Sequence, residues 1–147
     1  MKKNMVIVMF VLAMFLSMMG HTQLKSTASI DSVSDVNINF NITPVAKSAW
    51  YGQTSGDVTG ELTVDTRGQT PRAFRSAWAG TTRWKLVAGA NTFTAQLNGK
   101  LNTLNGTLLM RGIVIDGAHL GARVEVSGQV TTFEPTNLAG TLRVIQP

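Results

Sequence analysis

Val36, Ile38, Phe40 and Ile42 alternate with Asn37, Asn39, Asn41 and Thr43 without a break. Successive side chains of a strand point to opposite faces, so this run has one dry face and one wet face. A helix would scatter the same residues around its circumference. Weaker copies follow. Val58, Gly60, Leu62 and Val64 oppose Asp57, Thr59, Glu61, Thr63 and Asp65. Trp84 and Leu86 share a face within 82–87, and Phe93, Ala95 and Leu97 share one within 92–97. Residues 108–115 are apolar on both faces apart from Arg111, the mark of a central strand. Ala122, Val124 and Val126 alternate with Arg123, Glu125 and Ser127, and 138–145 closes the chain as a strand. Seven or eight short strands after residue 36 predict an all-β, mainly antiparallel single domain over 36–147, a β-sandwich or a small β-barrel.

Turn chemistry punctuates the strands. Asp116-Gly117 predicts a tight hairpin, Asn98-Gly99 and Asn105-Gly106 predict further turns, and Pro135-Thr136-Asn137 marks a loop. Two echoes run through the chain. An apolar-x-Gly-x-apolar pattern recurs at 58–62, 97–101, 104–108, 126–130 and 138–142. Within a strand such a glycine lies on the core face, where it admits a bulky neighbour or a sharp bend. The second echo is Thr-Pro followed by Ser-Ala-Trp-x-Gly, at Thr43-Pro44 to Gly52 and again at Thr70-Pro71 to Gly80. Thr before Pro, with Gly downstream, predicts short helices near 44–51 and 71–79. An edge strand beginning at Pro is the other reading.

The N-terminus has a different character. Lys2 and Lys3 precede a run from Met5 to Met19 in which Ser17 is the only polar residue. As a helix it would span about 22 Å, short of the ~30 Å hydrocarbon core. A charged start before a short apolar run predicts a signal peptide over 1–28, cleaved after Gly20 or Ala28, with 29–35 as a flexible lead-in. An uncleaved anchor is the alternative. The expected location is the periplasm, cell surface or extracellular space. No later apolar run approaches spanning length, so the mature chain is expected to carry no transmembrane segment.

Composition then narrows the chemistry. The 147 residues hold 13 Lys and Arg against 8 Asp and Glu, a net charge of +5. Lys2, Lys3 and Lys25 all precede Ser29, so the excess beyond that point is only two, too small to predict nucleic-acid binding. Cysteine is absent, which excludes disulfides, thiolate metal sites and a cysteine nucleophile. Of two histidines, His21 falls in the leader, and one remaining His119 cannot furnish a zinc site. His119 near Asp116 could be the orienting half of a triad, but a turn explains the pair better, and no G-x-S-x-G elbow is present. Asp57, Glu61 and Asp65 stand four residues apart, about 13 Å in an extended strand, which is too far for a carboxylate pair or a shared calcium. No catalytic residue, metal or cofactor is predicted.

The one suggestive segment is 67–85. Arg67, Arg72, Arg75, Arg83 and Lys85 occur there with no acidic residue, interleaved with Phe74, Trp78 and Trp84. Arg suits carboxylate or phosphate, and Trp offers a flat apolar face. Two functional expectations follow. The first is an exported, non-catalytic structural, adhesive or protein-interaction component of the cell envelope, self-associating through the sheet edge of 36–43. The second is a secreted module that binds an anionic glycan or lipid through 67–85.

Overall fold

Ile38, Phe40 and Ile42 are buried while Asn37, Asn39 and Asn41 are exposed, and the same inside-outside alternation runs through eight strands. The computed structural model describes residues 34–66 and 77–147. The strands are β1 (Val36–Ala46), β2 (Ala49–Gly56), β3 (Gly60–Asp65), β4 (Ala77–Val87), β5 (Phe93–Asn102), β6 (Thr107–Gly117), β7 (Arg123–Phe133) and β8 (Thr136–Ile145). Each pairs antiparallel with the next, and β8 pairs with β1, so the sheet closes into an up-and-down barrel. Of the two expected architectures, sandwich and barrel, the molecule is the barrel. Asp35 and Arg143 form an ion pair across the closing seam.

Closure decides what β1 can do. From Val36 to Ile42 it pairs with β8, and from Ile38 onward it pairs with β2. From Ile38 to Ile42 both its edges are occupied within the chain, whereas 43–46 pair on the β2 side alone.

The short helix expected near 44–51 is absent. Pro44 lies in β1 beyond Ile42, where pairing with β8 has already ended and a missing N–H costs no ladder bond on that side. Lys47 and Ser48 form a two-residue turn, and β2 follows at once. Of the second expected helix, 77–79 are strand, and 71–76 lie outside the described residues. Asn98-Gly99 is not a turn either. It sits inside β5, with Gly99 opposite Gly80 and Met110. Asn105-Gly106 is a turn, as expected, with Gly106 at φ +75°. The β6–β7 connection is longer than an Asp-Gly hairpin: Gly117 ends β6, and His119 and Gly121 also take positive φ.

Inward glycines shape the wall. Phe40 projects over the Gly128–Gly140 pair, so a Cβ on Gly140 would lie 2.8 Å from the Phe40 ring and 2.6 Å from Gly128 Cα. On Gly52 it would fall on the Asn41 backbone carbonyl. Gly128 and Gly140, two glycines of the repeat, are therefore inward positions where a ring passes, whereas Gly106 belongs to a turn.

The outer face carries Asn, Thr, Gln, Lys, Arg and Glu on most strands, and the inside is apolar. A barrel embedded in lipid needs the reverse arrangement, with an apolar band outside. Among the described residues no helix is long and apolar enough to cross a membrane.

Candidate ligand cavity

An eight-stranded barrel is just wide enough to be filled by its own side chains or to hold one small ligand. This barrel does each at a different end. At the end where β1 begins and β8 finishes, Ile38, Leu86, Phe93, Val114, Ala122, Val124 and Val144 pack without exposure. His119 sits in the turn there, its ring edge-on to Phe93 and its Nδ1 2.6 Å from Gln146 Nε2. Its neighbours are thus an amide and a phenyl ring, and the Asp116 pairing expected of a triad is not made.

The opposite end is open among the described residues, which do not include the segment 67–76 that follows Thr66 at its rim. A cavity of about 530 Å³ enters the barrel between the β1–β2, β5–β6 and β7–β8 turns. Small-ligand sites typically occupy ~300–1,000 Å³. Its walls are Ile42, Trp50, Val64, Leu101, Leu108, Met110, Val130 and Leu138, drawn from seven of the strands. Trp84 and Thr82 form the depth of it. Trp84 is 1% exposed, stands edge-on to Phe40 at 5.2 Å, and donates its indole N–H to Thr82 Oγ1 at 2.8 Å. The Thr82 hydroxyl in turn reaches Met110 Sδ at 3.6 Å. The deep polar groups are therefore satisfied among themselves and ask nothing of a ligand. The other polar residues of the lining stand at the rim: Lys47, Thr66, Asn102, Thr103 and Thr136. Lys47 is the only charged residue of the lining among the described residues.

The rim is held by its own bonds. Asn102 Oδ1 accepts from the backbone N–H of Leu104 at 2.9 Å and of Asn105 at 3.3 Å, and Gly106 N–H donates to Asn102 O at 2.8 Å. Asn105 Oδ1 accepts from Thr107 N–H at 3.0 Å, and Gln129 reaches across to the Asn105 carbonyl. In the β7–β8 turn, Thr132 Oγ1 donates to Pro135 O at 2.6 Å and Thr136 Oγ1 to Phe133 O at 3.0 Å.

The 67–85 set is divided. Arg67, Arg72 and Arg75 lie outside the described residues. Of Trp78 only the backbone is described, paired with Leu101 beside the cavity. Trp84 points inward and lines the cavity, whereas Arg83 and Lys85 are exposed on the other face of β4. Alternation along one strand cannot bring Trp84 together with its two flanking cations. Sequence reasoning missed Lys47, Trp50, Leu101, Met110 and Phe133, because a barrel interior collects every second residue from many strands and no contiguous segment contains it. The available signal was the inward half of each alternation, followed toward one end.

Asp57, Glu61 and Asp65 remain apart in function. Asp57 Oδ2 accepts from Asn37 N–H at 2.8 Å, and Glu61 lies beside Tyr51. Among the described residues no three His, Cys, Asp or Glu side chains gather to hold a metal. Comparison with known protein families, characterised proteins and solved structures finds no match to this chain, so its functional reading rests on the cavity itself.

Proposed function

We propose that this chain is an exported, non-catalytic binding module that holds the apolar part of a small amphiphile inside its barrel. The observation that carries this reading is the cavity among the described residues: apolar walls, a floor whose polar groups are already paired, and Lys47 at the rim. An apolar tail would displace poorly held water from such a site and leave no polar wall group unpaired. A glycan would present hydroxyls to Leu, Ile, Val and Met, which cannot answer them. Of the two ligand classes considered for a secreted module, lipid is therefore the better fit, held in the cavity to which Thr82 and Trp84 of the segment 67–85 contribute. A donated-strand subunit is less well supported, since β1 is paired on both sides from Ile38 to Ile42.

Lys47 suits an anionic head, because an ammonium beside the mouth favours a carboxylate or phosphate there. The test is calorimetric titration with dodecanoate and with dodecanol. Both should bind, and Lys47→Glu should weaken the alkanoate about five-fold while leaving the alkanol unchanged, the size of effect an exposed charge pair supports. Failure of both ligands to bind would end the proposal.

A further inference from the structure

Large apolar side chains are unusual at the tips of tight turns, which ordinarily hold Gly, Asn, Asp, Ser or Pro. Among the described residues, the open end has one in a turn and two more at the strand ends beside turns. Val45 before the β1–β2 turn is 62% exposed, Leu104 in the β5–β6 turn 79%, and Phe133 at the β7–β8 turn 63%. The opposite end has Leu120 and Val87, neither beside an opening. Leu104 and Phe133 are not exposed through looseness. The turns beside them are fixed by the hydrogen bonds described above. Phe133 also lines the cavity, so the apolar wall continues out of the mouth onto the rim.

We propose that this rim docks on a lipid bilayer surface and that the barrel exchanges its amphiphile there. The proposal rests on the amphiphile reading of the cavity, which supplies the reason for the occupant. A molecule whose tail fits this interior is sparingly soluble, and its reservoir is a membrane. Among the described residues, Val45, Leu104 and Phe133 flank the way into the barrel. Apolar side chains projecting singly from a rigid, otherwise polar end can enter the headgroup region while the strands stay outside it. Lys47, at the same mouth, then stands at headgroup level. Docking in this orientation shields the tail from water during transfer.

The experiment follows transfer of a fluorescent alkanoate from protein-free phosphatidylethanolamine–phosphatidylglycerol vesicles to the barrel, with Trp50 and Trp84 as energy donors. Transfer by contact should speed up in proportion to vesicle concentration. Val45→Ser with Leu104→Ser should slow it at least five-fold, and neither residue lines the cavity, so affinity for the dispersed probe should be unchanged. A rate independent of vesicle concentration and of the two substitutions, with probe binding intact, would overturn the docking proposal and leave the cavity reading standing. It would also be the result if a protein partner, rather than lipid, covers the rim. Loss of probe binding in the parent protein would instead overturn the cavity reading itself.

Discussion

Single side chains in this barrel carry two kinds of constraint, space and pairing. Gly140 shows the first. A methyl group there would press on both Phe40 and the Gly128 backbone, and it cannot move aside because β7 and β8 are paired through that position. Gly140→Ala should cost about 1–3 kcal/mol, the usual range for overpacking, and lower the urea midpoint without changing the slope. Thr82 shows the second. Thr82→Val keeps the shape but leaves the Trp84 indole N–H buried without an acceptor, a loss of about 1–3 kcal/mol by denaturation. Tyr51 offers a spectroscopic reading of local charge, being the only tyrosine in the chain. A hydrogen bond to the Glu61 carboxylate, with burial and charge repulsion adding to it, raises its pKa above the ordinary value of 10.0, against a smaller opposing effect of Gln53. An alkaline absorbance titration should therefore show the phenol ionising above the usual range. Glu61→Gln should move that transition to lower pH, because the neutral phenol loses its carboxylate partner and the phenolate loses its repulsion.

Elements act through their neighbours, and β1 most of all. It was the most legible strand in the sequence, since its inward residues are Ile38, Phe40 and Ile42 and its outward ones are all polar. Its neighbour β2 was hidden. The inward positions of β2 are Trp50, Gly52 and Thr54, with no aliphatic among them, so period two is silent there. Thr43-Pro44 also imitates a helix start while serving a strand that has parted from β8. The candidate site was obscured for a related reason. Positions that face a cavity tolerate Trp, Thr, Gly and Lys, and so lose the hydrophobic signature that core-facing positions keep. The central place of β1 in the ring can be tested directly. Removing 36–43 should unpair β2 and β8 together, giving a chain that loses its β circular dichroism or aggregates, as seen by light scattering. A folded, monomeric product would show that β1 is dispensable to the ring.

For the whole molecule, the division into a packed half and a hollow half makes stability depend on occupancy. A ligand that binds only the folded barrel stabilises it by mass action, by about 2.7 kcal/mol at a hundred times its dissociation constant. Thermal unfolding with dodecanoate should shift upward with ligand concentration. The closed seam adds one more consequence. Val36 and Ile145 both lie at the sealed pole, beside each other and a barrel's length from the mouth. Whatever is fused or tethered to either terminus of the domain departs away from the cavity. A protein immobilised by its tail would keep its entrance facing outward, and two such domains joined in series would leave each doorway clear.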